Sequence, residues 1–354
     1  MGGVDGVVRS SDIPKGFASP RLVGPEGIGV RRSAIGDSGQ RLNIGRPSGR
    51  LLDGRLPRAK ALSCSVRRSH GLRADTPERR TPNVNPFARS PANNATEGSV
   101  TPGKIYIGTS GWVYKDWAKR FYPKEIPKKR HLEFYATRFP TVEINASFYR
   151  LPTARIFDDW RDAVPTGFLY AVKGSRAVTH FKRLKPGAKS FPLLLERCHH
   201  LGPRLGPILW QLPPSFPKNT ERLTHFLQRL PRRILHAIEF RHPTWLEDGV
   251  GEILKRFGVA KVWVSSLAMP MDFEVTGDFV YLRFHGLQGG SAHDYTDEEL
   301  EPWAEHLRRC ARQGMSGFVY FNNDVNTRAP LNALRLMQML GKYAQRPNAE
   351  ATDK

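Results

Sequence analysis

The sequence predicts an α/β fold, a (β/α)8 TIM barrel with a disordered N-terminal extension, on three observations. Eight short apolar runs recur between Lys104 and Leu340, most are separated by amphipathic helical stretches, and nearly every run ends in polar or charged residues. Alternating strands and helices bury a parallel sheet beneath a ring of helices, and such barrels place their chemistry at the carboxyl ends of the strands.

The predicted strands are runs rich in β-branched, aliphatic or aromatic residues bounded by turn formers. They fall at 105–111, 141–147, 169–175, 207–212, 235–241, 261–266, 279–286 and 317–323. After the second strand, Thr153 opens a helix through Phe157, Trp160 and Val164. After the third, Ser190 opens one through Leu194, Cys198 and Leu201. Between the fourth and fifth, Leu223, Phe226, Leu227 and Leu230 fall at i, i+3, i+4 and i+7, which gives residues 219–230 one apolar face for the barrel. Residues 267–278, between the sixth and seventh strands, contain Pro270 and Gly277 and show no apolar stripe, so a loop crossing is predicted there. Thr296 with Glu299 forms a capping box. Leu300, Trp303, Leu307 and Ala311 follow on one stripe, with Gly314 as the C-cap.

The first hundred residues are a different material. They hold two of the chain's 36 aromatic residues, Phe17 and Phe87, and 17 Lys and Arg against 8 Asp and Glu. Their net of +9 leaves +13 of the formal +22 to the remainder. So little apolar surface cannot offset the entropy of ordering, and residues 1–103 are predicted to be a disordered, low-complexity basic extension. A secretory apolar core is absent, and Asp5, Asp12 and Glu26 interrupt the charge pattern of a transit peptide. No methionine lies between Met1 and Met269, and Val100 offers a non-methionine start just before the first strand. A disordered extension or a mis-assigned start is therefore expected rather than a targeting signal. The barrel is assigned to residues 104–342 and a flexible tail to 343–354.

Cys64, Cys198 and Cys310 are odd in number and widely spaced, so neither a disulfide framework nor a zinc site is expected. No apolar run approaches the roughly 18 residues of a membrane span. These features lead to the expectation of a cytoplasmic protein without membrane contact; the oligomeric state is left open.

Side chains on a strand alternate between faces, so residues two apart share the barrel interior. This parity gathers Glu143 with Asn145, Glu239 with Arg241, Arg283 with His285, Tyr320 with Asn322, and single contributions from Lys173 and Gln211. Burying two Glu, two Arg, a Lys and a His without function would cost several kcal/mol for each unpaired ion, so the set is assigned to a site. Lys173, Arg241 and Arg283 suit an anionic or highly hydroxylated ligand. Glu143 and Glu239 are the expected general acid and base, with His285 as a further proton carrier. Asn145, Gln211, Tyr320 and Asn322 complete the polar lining. Glu143, Glu239, His242 and His285 offer donors to a divalent cation. Against that, metal-binding spacings are missing and the neighbouring cations repel a metal, so no metal or cofactor is expected.

The run from Gly108 to Tyr114 leads into Trp117 and Phe121-Tyr122-Pro123. Trp112 and Tyr114 stand there either as a stacking wall for a sugar or base or as an apolar lid. His180, Lys182, Arg183, Lys185 and Lys189 make the loop after strand three the most basic of the top face, a solvated surface or a draw for a polyanion.

The motifs IYIGTSGWVYKDW, TVEINASFYRLP, AVKGS followed by Thr179-His180, LWQLPPSF, AIEFRHPTW, VYLRFHG and VYFNND, in that order, resemble the YecE-like family, domain of unknown function 72. The resemblance covers about residues 104–340 and implies a TIM barrel. It supplies site candidates without a reaction. Its polar motif positions fall on Glu143, Asn145, Lys173, His180, Gln211, Glu239, Arg241, His242, Arg283, His285 and Asn322. The pattern departs at strand six, where many relatives carry an Asp near Ser265 or Ser266.

The function expected on these grounds is an enzyme, a hydrolase, lyase or isomerase, acting by acid/base chemistry at Glu143 and Glu239 on an anionic or phosphorylated small molecule such as a sugar derivative. The alternative is a nucleic-acid-associated protein or nuclease-like hydrolase whose cationic mouth grips phosphates while Trp112 and Tyr114 stack on bases.

Overall fold

The computed structural model describes residues 100–348. Most of the predicted extension, Cys64 within it, and residues 349–354 lie outside the described residues. The chain runs β1 (Ile105–Thr109), α1 (His131–Ala136), β2 (Thr141–Ile144), α2 (Ala146–Tyr149), α3 (Ala154–Asp162), β3 (Leu169–Lys173), α4 (Ser190–His199), β4 (Leu205–Gln211), α5 (Thr220–Leu227), β5 (His236–Glu239), α6 (Val250–Phe257), β6 (Ala260–Ser265), β7 (Phe279–Phe284), α7 (Asp297–Arg312), β8 (Ser316–Phe321) and α8 (Arg328–Leu340). Each predicted strand is present and ends sooner than predicted, because the polar residues at its carboxyl end leave the sheet to form the mouth.

All strands are parallel and hydrogen-bonded in the order β1-β8-β7-β6-β5-β4-β3-β2. β1 and β2 lie side by side without a backbone ladder, and a tyrosine from α1 closes the seam. The Thr109 N–H donates to the Tyr135 hydroxyl at 2.9 Å, and that hydroxyl donates to the Thr141 carbonyl at 3.1 Å. Gly108 makes room for this arrangement, since a Cβ there would lie 2.1 Å from the Thr141 oxygen. The Tyr135 hydroxyl thus satisfies backbone groups that a ladder would otherwise pair.

Two apolar cores result. The larger packs the outer strand faces against the helices; the smaller fills the barrel with residues such as Leu169, Leu209, Val262, Tyr281 and Phe318. Cys198 and Cys310 are free, buried thiols. The capping box at Thr296 and Glu299 is formed, Asn219 caps α5 through the Arg222 N–H, and Gly314 takes a left-handed φ of 79° one position beyond the C-cap of α7.

Between β6 and β7 no helix forms, as predicted. The crossing is instead fastened as a strap. The buried Lys261 ammonium pairs with Asp272 at 2.6 Å and Glu274 at 2.9 Å, and Phe273 stacks on His306 at 3.6 Å.

Beyond α8 the chain stays in contact with the amino end of the barrel. Ala344 bridges to Ile105, the Gln345 N–H donates to the Ile105 carbonyl at 2.8 Å, and the Asn348 amide donates to Thr166 at 2.6 Å. These contacts supply backbone partners at the amino end of β1. Among the described residues, no helix is long and apolar enough to cross a membrane.

Candidate functional site

Parity turns alternate residues at the strand ends inward, and β7 places Arg283 at the centre of the resulting cluster. Its Nη2 donates to Glu143 Oε1 at 2.8 Å and its Nη1 to Glu239 Oε2 at 2.6 Å. Both carboxylates are fully buried, and the Arg283 side chain is 1% exposed, so one guanidinium neutralises two acids away from water. Glu143 also accepts from the Ser110 hydroxyl at 3.0 Å and the Tyr281 hydroxyl at 2.7 Å. Glu239 accepts from Gln211 at 3.2 Å and from Arg241 Nε.

These pairings set the charges. Burial pushes the Glu239 carboxyl up, but Arg241, Arg283 and His285 outweigh it and hold it well below the usual carboxylate range. Burial likewise lowers the Arg283 guanidinium, and Glu143 and Glu239 more than restore it. His285 is pushed down to about 4, by burial first and by Arg283 and Arg241 further, against the pull of Glu239. Its Nε2 receives Arg241 Nη2 at 2.8 Å and Arg283 Nη1 at 3.4 Å. The same Nε2 lies 3.2 Å from Glu239 Oε1, and Arg241 Nη2 also lies 3.3 Å from Nδ1, so the ring is held against the Arg241–Glu239 pair. The Asn322 side-chain amide nitrogen lies 3.3 Å from Nδ1.

The β3 side of the mouth is built differently. Lys173 ends the strand with its ammonium 4.5 Å from the centre of the Phe148 ring, and it has no ion-pair partner among the described residues. Burial, then Arg283, lower it to about 8, with Glu143 and Glu239 opposing. The edge of His180 meets the same Phe148 ring at 5.0 Å. His180 Nδ1 pairs with the Thr179 hydroxyl at 2.9 Å, and burial, then Lys173 and Arg176, depress its basicity. The chain here makes a π-turn, Ala177–Phe181, a wide backbone loop common at functional positions. Outside it, Arg176 lies over two exposed rings, Tyr149 at 5.6 Å and Phe181 at 5.4 Å.

The structure therefore brings together Glu143, Lys173, Gln211, Glu239, Arg241, Arg283, His285 and Asn322, with His180 alongside. Asn145 donates to the Ser110 carbonyl at 3.0 Å, and its buried Oδ1 has no hydrogen-bond partner among the described residues. Trp112 packs edge-on against Trp160, and Tyr114 gives its hydroxyl to Ser110 and its ring to Trp117, so both are committed to the aromatic cluster. Two further residues of the set have other contacts. Tyr320 is fully buried and donates to Thr141 at 2.7 Å, because parity fixes which face a side chain takes but not its depth. His242 turns away to cap the short helix Pro243–Leu246, its Nδ1 accepting from Thr244. At strand six, Ser265 bonds Tyr295 at 2.9 Å, while the buried Ser266 hydroxyl has no hydrogen-bond partner among the described residues. Sequence reasoning overlooked Ser110 and Tyr281, although the same two-residue spacing from Gly108 and Arg283 points to them. It also overlooked Phe148, for which only adjacency to Ser147 in α2 gave a hint. Among the described residues, no group of three or more His, Cys, Asp or Glu could hold a metal ion.

Over residues 106–354 the sequence matches the family described as "Protein of unknown function DUF72". The UPF0759 protein YunF of Bacillus subtilis is 28% identical over 270 residues, which cover 67% of this chain and 94% of that one. A DUF72 family protein from Thermotoga maritima aligns with a TM-score of 0.61 at 28% identity, covering 67% of this chain and 99% of that one. Another, from Enterococcus faecalis, shares the fold with a TM-score of 0.58 at 20% identity, covering 69% of this chain and 98% of that one.

Proposed function

This chain belongs to the DUF72 family, and we propose that it is an enzyme that takes an anionic small molecule into the carboxyl-end mouth of its barrel and moves protons on it. The observation that carries this reading is an imbalance of charge. Arg283 satisfies Glu143 and Glu239 together, Arg241 adds a second bond to Glu239, and Lys173 is left without a carboxylate. With His285 neutral, three cations face two carboxylates, and a phosphate or carboxylate would balance the surplus. Orphaned polar atoms at Asn145 Oδ1, Ser266 Oγ and Arg283 Nε lie at the carboxyl ends of β2, β6 and β7, where a bound molecule or water supplies partners.

The geometry also divides the roles. Arg283 is committed to the two acids, so Lys173 and the outer guanidinium edge of Arg241 are the anion's ligands. Glu239 stays ionised and serves as base or electrostatic anchor rather than acid. Glu143, which accepts from Tyr281 and Ser110, is the partner carboxylate through which a proton passes. The reaction is of the lyase, isomerase or hydrolase type. The test is a thermal-shift series with phosphate, sulfate, sugar phosphates and short oligonucleotides. A small anion at one hundred times its dissociation constant should stabilise the wild type by about 2.7 kcal/mol, and Lys173→Met and Arg241→Ala by clearly less. Equal shifts in all three proteins would overturn the reading.

One observation favours a second reading, nucleic-acid binding. The exposed rings of Tyr149 and Phe181 flank Arg176 beside the exposed Lys182, Arg183, Lys185 and Lys189, a rim suited to bases and phosphates. Oligonucleotide affinity falling steeply with salt would select it.

A further inference from the structure

We infer that Lys173 is a nucleophilic amine, and that the substrate carries an aldehyde or ketone which this amine captures as an imine. The inference deepens the anion-site reading and rests on it for the second anchor, Arg241. A comparison within the same barrel carries it. Lys261, which is buried, sits between Asp272 at 2.6 Å and Glu274 at 2.9 Å, and those two acids keep its ammonium charged against the effect of burial. Lys173 has different surroundings: the face of the Phe148 ring at 4.5 Å, a cation–π contact weaker than an ion pair, no carboxylate within ion-pairing distance among the described residues, and a strand end that fixes its Cα. The charged groups around it are Arg283 from β7, Glu143 from β2, and Glu239 and Arg241 from the end of β5, with His180 and Arg176 from the segment after β3. Both acids are already engaged by guanidinium groups, so the ammonium is poorly compensated.

Desolvation and cationic neighbours are the conditions that turn a lysine into a nucleophile. With its pKa at about 8, roughly one-tenth of Lys173 is free amine at pH 7, hundreds of times more than for an ordinary surface lysine. The step balances. The ammonium loses a proton and its nitrogen lone pair attacks the carbonyl carbon. The C–O π pair moves to oxygen, which is protonated, and the resulting hydroxyl leaves as water with a second proton taken from nitrogen. The ammonium and the carbonyl become an iminium and one water. His180 is placed to take and return the first proton: it shares the Phe148 ring with Lys173, and its Nε2 has no hydrogen-bond partner among the described residues.

The test incubates the full chain with sodium cyanoborohydride and either dihydroxyacetone phosphate or glycolaldehyde, then maps alkylated lysines by peptide mass spectrometry. Lys173 should be modified roughly ten-fold faster than any other lysine at pH 7, with a rate that rises with pH through a midpoint near about 8. Inorganic phosphate should slow the reaction. Modification spread evenly over surface lysines, with Lys173 no faster than the rest, would overturn the inference. If phosphate still stabilises the protein in that case, the anion site survives and only the imine falls. If neither effect appears, both fall. Fast modification by glycolaldehyde without any stabilisation by phosphate would keep the imine and remove the anion site.

Discussion

On β2, β5 and β7 the mouth holds two buried carboxylates cross-linked by one guanidinium, whereas on β3 it holds a single lysine over a phenyl ring. The first arm is closed. Arg283 reaches Glu143 at 2.8 Å and Glu239 at 2.6 Å, and Tyr281, Ser110, Gln211 and Arg241 fill the remaining acceptor sites. The second arm is open, with Lys173 and His180 sharing Phe148 and no counter-ion between them. Buried charges that are paired hold a site in shape, while an unpaired one retains free energy that a ligand can release. The closed arm is thus the frame and the open arm the place where a ligand is met.

Breaking the closed arm gives the largest effect. Arg283→Met leaves buried Glu143 without a cation and Glu239 with Arg241 alone, and the free energy of unfolding should fall by about 5 kcal/mol, the upper end for a broken buried pair. The urea midpoint reads it. A loss under about 1 kcal/mol would mean the acids are already solvated, and the contrast between the arms would disappear.

Acid sharpens the comparison next. His285 in the closed arm and His236, buried against Trp210, are both lowered to about 4. Their folded values lie below the unfolded value of about 6.5. The stability they contribute is therefore complete above pH 6.5 and lost as pH falls toward 4, up to roughly 3 kcal/mol each. Urea midpoints at pH 7.5, 5.5 and 4.5 should fall in that order, and His285→Asn should flatten the decline. A decline as steep in His285→Asn as in the wild type would show that His285 is already charged in the closed arm.

The smallest effect has the opposite sign. The folded pKa of Lys173 also lies below its unfolded value, so its contribution is present above about 10.5 and lost as pH falls through about 8, and at pH 7 its charge weighs on the fold. Lys173→Met should raise stability by about 1 kcal/mol, a modest figure because the side chain keeps contact with solvent. Calorimetry should show a rise of roughly 2 to 4 °C in Tm. A fall in Tm would place Lys173 in the closed arm.

Much of this architecture was legible in the sequence because it depends on local pattern. Apolar, β-branched or aromatic runs bounded by turn residues located every strand, Thr296 and Glu299 marked their helix by mutual capping, and Pro270 with Gly277 announced the crossing without a helix. The polar set was legible for the same reason, since parity assigns residues to a face. What parity leaves out is depth and pairing, both of which depend on how neighbouring strands are staggered. That is why Tyr320 emerged as an interior residue, why His242 proved to be a cap, and why the double engagement of Arg283 had no signal in the chain. The Tyr135 hydroxyl that closes the seam between β1 and β2 was equally hidden, because its partners lie on two strands separated by that tyrosine's own helix.

The most direct test of the open arm is a titration of the Lys173 side chain by carbon-13 NMR on lysine-labelled protein, assigned by comparison with Lys173→Arg. The midpoint should lie at about 8, far from the other lysines, and should move upward when inorganic phosphate is added, since a bound anion favours the charged ammonium. A midpoint near about 10.5 that phosphate leaves unchanged would mean Lys173 is solvated or paired, and the division of the mouth into a closed and an open arm would be wrong.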